Sequence, residues 1–343
     1  MNKRIAALIL LIVVIGAVAV LDLFFLSATP GYEGERSVWI PPQSDLAATA
    51  DSLESSHILE KRSGFILLAR LTGWGDQIKA GHYRIPSGTS SMDMLGMLRR
   101  GLQSPVSVRV PGGTRRERLI RAMARPMAFS EQALDAVLSD SAFAAELGTD
   151  TTHLWAYMLP DTYSFFWLAS PEDVVTHIKR HTDRVIMSVT DTLAEIPASM
   201  TPDETIRMAG IIEWETSHIE EKPTISGVYH NRIRDGWRLD ADPTVQYAVM
   251  LREGDKRRLL FRDYDIQHPY NTYRRRGLPP GPITNPSASS VRAALTPEEH
   301  RYYFFVARGD GTHIFSRTLS EHRRRANEYY RLMRERRQQA PSQ

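Results

Sequence analysis

Apolar and polar positions along the 343-residue chain change pattern several times, and the first pattern is an unbroken apolar run. Ile5 to Leu21 carries no charge and is almost wholly aliphatic. Asp22 interrupts, and Leu23-Phe-Phe-Leu26 extends the stretch to 22 residues, about the length needed to cross a bilayer as a helix. Lys3 and Arg4 precede the run, whereas Asp22, Glu33 and Glu35 follow it. The positive-inside rule then puts residues 1–4 in the cytoplasm and the body outside. A cleaved signal peptide is the competing reading, because Leu26-Ser27-Ala28 ends in small residues. The run is longer than an ordinary signal core, which favours an uncleaved anchor over residues 5–26. No second run of spanning length follows, so a single-pass protein is expected.

Shorter periods follow. Residues 27–44, rich in Pro, Gly and Ser, read as a linker. Residues 45–105 form a small unit. Asp45 to Ser56 suits a helix, Gly64 to Thr72 carries a second apolar pattern, and Ile78 to Ile85 alternates like a strand. Ser91 is expected to cap a helix bearing Met94, Leu95 and Leu98. Strand, turn and short helix suggest a LysM-like carbohydrate-binding subdomain, although the layout is common. Residues 106–322 make a larger mixed unit. It opens with a strand at Val106–Val110, and helices are expected at 115–125, 130–138 and 171–194. Leu154 to Tyr163 is aromatic-rich, suited to stacking on sugar rings or to a core. Lys222 to Arg234 is expected as a helix, and Leu239 to Val245 as a loop presenting Asp240 and Asp242. Gly277-Leu-Pro-Pro-Gly-Pro282 is a rigid turn. A helix around 288–295, a hairpin of Tyr302–Val306 with His313–Phe315, and a basic helix from Ser320 to Arg337 complete the pattern. Residues 323–343 form the basic C-terminal helix and tail. The expected fold class is α/β (α+β).

One stretch combines these signals with chemistry. Thr201-Pro202-Asp203-Glu204 is a helix start, with Thr201 as N-cap and Glu204 closing a capping box. The predicted helix over 202–216 carries Met208-Ala-Gly-Ile-Ile-Glu-Trp-Glu-Thr216. At about 100° per residue, Met208, Ala209, Ile211 and Ile212 form an apolar arc, while Arg207, Gly210 and Trp214 face away. Glu215 projects into the arc, and Glu213 lies about 160–200° from it. A carboxyl on a buried face is raised in pKa and can hold a proton near neutrality, which is what a general acid requires. The alternative is a pair of salt-bridged structural glutamates. A glycosidase dyad is not expected, since two such carboxyls must face one bond across about 5–9 Å.

Composition narrows the classes. Hydrophobic residues make up 42% and charged residues 24%, which is ordinary for a globular protein. The net charge is +3, but arginine clusters in Arg274-Arg275-Arg276 and Arg323-Arg324-Arg325, forming either a solvated face or a match for an anionic polymer. The absence of cysteine excludes disulfides, thiolate metal sites and a cysteine nucleophile. His218-Ile-Glu-Glu lacks zinc-protease spacing, and no nucleotide-binding glycine loop or nucleophile elbow is present. No metal or other cofactor is expected, and an extracytoplasmic body argues against nucleic acid as a partner.

Together these segments resemble the endolytic murein transglycosylase family (MltG/YceG-like), inner-membrane enzymes that cut peptidoglycan glycan strands. The likeness runs from the anchor to about residue 322. It rests on Ala209-Gly-Ile-Ile-Glu-Trp-Glu-Thr216, Val228-Tyr-His-Asn-Arg-Ile233 and Leu239-Asp-Ala-Asp-Pro-Thr-Val245. Tyr270-Asn-Thr-Tyr273, Gly277 to Pro282, Asn285-Pro-Ser287 and Phe304-Phe-Val-Ala307 continue it in order. The resemblance implies Glu215 as the essential acid, the residue the helical wheel also selects. It implies substrate contacts from Glu213, Asn231, Asp242, Tyr270, Asn271, Thr272 and Tyr273, each with a turn or cap as its structural alternative. It also implies a periplasmic body, peptidoglycan strands as substrate, 1,6-anhydromuramyl products and peptidoglycan synthases as partners. Two departures stand out: Trp155-Ala156 replaces the family's Glu-Gly, and Gly112 replaces an acidic residue. The first keeps a weakly catalytic glycan-binding scaffold open, beside a water-using muramidase.

Overall fold

The computed structural model describes residues 3–25, 29–192 and 200–339. It begins with helix α1 (Lys3–Phe25). Leu26 and the side chains of residues 6, 17 and 19–25 of the expected anchor lie outside the described residues. Among the described residues no helix is long and apolar enough to cross a membrane. Beyond α1 the chain is a mixture of helices and two-stranded antiparallel or paired strands, an α+β arrangement. It divides into two compact units. The first is Met1–Ser107 with Pro126–Ala128 and Ser164–Ala169, and the second takes the remaining segments up to Gln343.

In the first unit, β1 (Glu35–Ile40), α2 (Leu46–Ser55), α3 (Arg62–Thr72), β2 (Gly81–Pro86) and α4 (Ser91–Arg100) follow in order. The two strands pair antiparallel, from Glu35 opposite Pro86 to Ile40 opposite Gly81. Val38, Ile40, Tyr83 and Ile85 point inward to meet Leu53, Phe65, Leu68, Met94, Leu95 and Leu98, as the alternation of a half-buried sheet requires. The stretch expected as a linker therefore contains a core strand. Flanking Pro and Gly residues mask the β-forming Val38-Trp39-Ile40, which pairs with β2. Ser90 caps α4, accepting from the Asp93 amide at 3.1 Å. Ser91 is the first helical residue, a correction of one position.

The second unit begins along β3 (Val106–Val110), which pairs with β4 (Asp161–Phe165). Between them lie α5 (Arg116–Ala124), α6 (Glu131–Leu138) and the unexpected α7 (Ser141–Glu146), capped by Asp140. The aromatic stretch is core: Trp155, Tyr157 and Tyr163 are all buried. Then come α8 (Pro171–Thr190), α9 (Pro202–Glu215), α10 (Lys222–Arg234), α11 (Asp242–Glu253) and α12 (Ala288–Leu295). Helix α8 ends at Thr190, capped by Asp191, short of the expected residue 194, and residues 193–194 lie outside the described residues. The hairpin of β5 (Phe304–Ala307) and β6 (His313–Ser316) and the basic α13 (Leu319–Gln339) end the unit. Helix α11 corrects the loop expected at 239–245. Asp242-Pro243 is a helix start, with proline where its missing N–H is harmless.

Helix α9 is the central element. Its capping box forms: Thr201 Oγ1 accepts from the Glu204 amide, and Glu204 Oε2 accepts from the Thr201 amide. Ile206, Met208, Ala209, Gly210, Ile211 and Ile212 are all buried, so the helix is enclosed on more than the expected arc. Gly210 does not face outward. A Cβ there would stand 3.3 Å from the Thr284 carbonyl oxygen, so glycine lets the 283–285 chain cross close to α9. Burying each large apolar side chain contributes about 1.5–3 kcal/mol. Past Ile212 that enclosure gives way, and the last turn, with Glu213, Trp214 and Glu215, is partly open.

Candidate active site

The last turn of α9 opens onto a cleft with two lobes. One is a cavity of about 710 Å³ bounded by Gly113, Thr114, Glu213, Glu215 and Lys256. The other, about 580 Å³, is bounded by Asp242, Leu260, Phe261, Tyr264 and Tyr330. Trp214, Glu215 and Lys256 border both. The first lobe's rim is the Pro111-Gly-Gly113 turn, and Asn285 fixes it. The Asn285 side chain donates to the Pro111 and Met158 carbonyls at 2.7 and 2.9 Å and accepts from the Thr114 amide at 3.1 Å. Gly113 adopts a left-handed φ of 61°, and its carbonyl accepts from Trp214 Nε1 at 3.0 Å. Trp214 is thereby held between the lobes.

The two glutamates of α9 have opposite environments. Burial alone would push Glu213 up, but its Oε2 accepts from Ser287 Oγ and Ser290 Oγ at 2.6 Å each and from Lys222 Nζ at 3.1 Å. These donors outweigh burial and hold the carboxyl below its usual value. The Ser287 amide also donates to it at 3.1 Å. A carboxylate from α9 thus caps the N-terminus of α12, where Ser287 makes no side-chain cap of its own. Glu215 faces the reverse. Enclosure by protein pushes it up to about 8, and nearby Asp242 adds to that, against the lowering effects of the Tyr229 hydrogen bond and of Arg232. Tyr229, buried on α10, donates to Glu215 Oε1. Two carboxyls two residues apart are therefore split into an ionised brace and a protonated acid, the separation that marks acid–base assignments.

Both glutamates nonetheless border the same lobe, closer company than their angular separation suggested. The chain turns extended at Thr216 (φ −145°, ψ 144°), so Glu215 is the last helical residue and lies at the mouth of the cleft.

The other expected residues separate into groups. Asp242, the first residue of α11, lines the second lobe and accepts from Tyr273 at 2.6 Å and Tyr264 at 3.1 Å. Thr272 is buried and holds that corner, accepting from the Ala241 amide at 3.0 Å and bonding Thr244 Oγ1 at 2.8 Å. Asn271, fully buried, donates to the Tyr264 and Ile266 carbonyls and accepts from the Tyr273 amide. It shapes the loop that carries both tyrosines. Tyr270 borders a separate cavity of about 230 Å³ that Trp155 and Tyr247 also line. Asn231 is buried elsewhere, donating to the His300 and Tyr302 carbonyls and bordering a cavity that Glu215 does not reach.

Sequence reasoning missed Tyr229, Tyr264 and Lys256. Tyr229 stands 14 residues after Glu215 on the next helix, and no local spacing connects them. Of groups able to hold a cation, Asp150, His153 and Asp203 bring ligand atoms within 4.8 Å of one another. Their oxygens already accept from His153 at 2.8 Å, Thr149 at 2.7 Å and Tyr157 at 2.6 Å, which gives the cluster a structural role between α9 and the 149–157 segment.

Comparison with known proteins gives consistent matches. The family model described as YceG-like matches residues 38–328. A Bacillus subtilis protein named endolytic murein transglycosylase is 28% identical over 306 residues, covering 84% of this chain and 83% of that protein. A Streptococcus pneumoniae protein of the same name is 22% identical over 331 residues, covering 85% of this chain. The chain spans only 58% of the pneumococcal protein's length. The crystal structure of a yceG-like protein from Listeria monocytogenes superposes with a TM-score of 0.57 at 26% identity, covering 85% of this chain and 99% of that one.

Proposed function

The chain belongs to the YceG-like family, and on that premise we propose that it is an endolytic lytic transglycosylase of peptidoglycan. Two named relatives support this reading. The observation that carries it is a single carboxyl, Glu215, held protonated by its surroundings at the junction of a two-lobed cleft. A cleft open on both sides of the acid suits cutting within a strand.

In this mechanism Tyr229 donates to Glu215 Oε1, so the acid proton sits on Oε2. That proton passes to the glycosidic oxygen between N-acetylmuramic acid and N-acetylglucosamine as the C1–O bond breaks. The muramyl C6 hydroxyl then closes on C1 and returns its proton to the Glu215 carboxylate. The product is a 1,6-anhydromuramyl end, water is not consumed, and one carboxyl serves as acid and then base. Asp242, with Tyr264 and Tyr273 donating to it, places negative charge near the developing oxocarbenium centre. Glu213, Asn231, Asn271 and Thr272 act through position, fixing the elements that form the cleft, and Tyr270 belongs to a neighbouring aromatic cavity.

The same reading extends to location. Ile5, Leu8, Leu10, Ile12 and Ile15 of α1 are all more than half exposed, a face that lipid would cover. It supports an anchor in the bacterial inner membrane, with the N-terminus cytoplasmic and the body periplasmic. The strand–helix–helix–strand core of the first unit supports a LysM-like glycan contact. A tethered enzyme would meet strands as synthases release them and so end their elongation.

The test is mass spectrometry of purified peptidoglycan digested by the wild type beside Glu215→Gln. Anhydromuramyl products that vanish in the variant support the reading. Reducing ends would make the protein a hydrolase, and binding without cleavage would make it a scaffold.

A further inference from the structure

The two lobes of the cleft differ in chemistry in a way that cutting a sugar chain does not require. The second lobe offers Leu260, Phe261, Tyr264 and Tyr330, and Phe261 is 96% exposed. Flat apolar faces of this kind stack on sugar rings. The first lobe offers three cations, Arg115, Arg118 and Lys256. Three acids share its lining: Asp255, Glu213 and Glu215. Glu213 is neutralised by Lys222 from behind, at 3.1 Å, and Glu215 holds its proton near neutrality. Asp255 alone then opposes three positive charges.

We propose that the first lobe is a subsite for the acidic stem peptide of the muramyl residue, with Arg118, Arg115 and Lys256 facing its carboxylates. The proposal rests on the transglycosylase reading for the identity of the substrate. Glycan rings carry no charge that would call for three cations, whereas stem peptides branch from every muramyl unit and bear free carboxylates. Arg118 is exposed and makes no hydrogen bond or ion pair to another described residue. Arg115 commits one nitrogen to the Gly254 carbonyl at 2.6 Å, which steadies the 254–256 loop and leaves its other donors for a ligand. Lys256 Nζ lies 5.2 Å from the centroid of the Trp214 ring, at the boundary between lobes. A planar guanidinium pairs with carboxylate through two parallel hydrogen bonds. At about 710 Å³, the lobe has room for a sugar and several peptide residues.

The test uses the full chain in detergent, carrying Glu215→Gln so that strands stay intact. Labelled glycan strands of one length, either with stem peptides or stripped of them by an amidase and with the freed lactyl carboxyls blocked as methylamides, are titrated and followed by fluorescence anisotropy. Peptide-bearing strands should bind roughly tenfold more tightly. That ratio should fall toward one in a second protein that also carries Arg118→Glu, and largely survive Arg118→Lys. Equal affinity for the two strands, or a ratio unchanged by Arg118→Glu, overturns the subsite. Wild-type cleavage of both strands separates the two ideas. Cleavage without a binding ratio removes the subsite and leaves the transglycosylase, whereas a binding ratio without cleavage removes the transglycosylase and leaves an anionic-peptide subsite.

Discussion

A protonated Glu215 has a consequence for stability that does not depend on activity. Its carboxyl is pushed from 4.5 to about 8 in the folded protein, chiefly by burial. Below about pH 4.5 the folded and unfolded chains both hold the proton, and the site carries no penalty. Between that point and about pH 8 the unfolded chain ionises while the folded one does not, and each pH unit removes about 1.4 kcal/mol of stability. Above about pH 8 the loss is complete, at up to about 5 kcal/mol. Glu215→Gln removes the titration yet keeps an oxygen able to accept from Tyr229. Thermal melts of both proteins from pH 4 to 9 should therefore nearly coincide at the acid end and diverge as pH rises. The variant should be the more stable by roughly ten degrees at pH 9, since 1 kcal/mol shifts a unit of this size by about 2–4 °C. Parallel melting curves across that range, or a variant less stable at pH 9, would refute the protonated acid and with it the proposed mechanism.

Activity should fall as pH rises through about 8, where Glu215 loses its proton. Tyr229→Phe removes a donor that favours the carboxylate, so the alkaline limb of the pH–rate profile should move up by roughly one to two pH units. Asp242→Asn removes a neighbouring negative charge and should move that limb down. Glu213→Gln leaves the buried Lys222 ammonium without its counter-charge, which should cost about 3–5 kcal/mol by denaturant unfolding at neutral pH. Because Glu213 is held below its usual value, this wild-type advantage should shrink as pH falls through the carboxylate range. Gly227→Ala would place a Cβ 2.4 Å from the Glu298 carbonyl oxygen and 2.6 Å from the His300 ring. It should destabilise the protein by about 3 kcal/mol or more and, by displacing α10 and Tyr229, lower product formation in the fraction that still folds.

Much of the second unit is legible locally. Thr201 and Glu204 mark the start of α9 through reciprocal bonds three residues apart. Lys222–Arg234 and Ala288–Leu295 likewise end within a residue or so of their sequence signals. Helical periodicity also places Glu215 toward apolar surroundings. Where the signal is weak or the partner distant, the reading fails. Strand β1 carries the β-formers Val38, Trp39 and Ile40, but flanking Pro and Gly residues mask it, and Glu35–Ile40 is held as a strand by Gly81–Pro86 across the intervening helices. Helix α11 carries a start signal, Asp242-Pro243, that the neighbouring Asp240 obscures. Gly210 looks exposed on a wheel because a wheel has no knowledge of the 283–285 chain that crosses it.

The candidate site divides in the same way. The sequence by itself supplies an acid on an apolar helix, the order of its motifs and a basic, cysteine-free chain, since these depend on residue type and short spacing. Tertiary structure decides which glutamate keeps its proton. Lys222, Ser287 and Ser290 converge on Glu213 from two other helices, whereas Tyr229 and the cleft wall enclose Glu215. The two carboxyls have the same intrinsic acidity, and desolvation against hydrogen bonding and charge, set by neighbours up to 77 residues away, separates them.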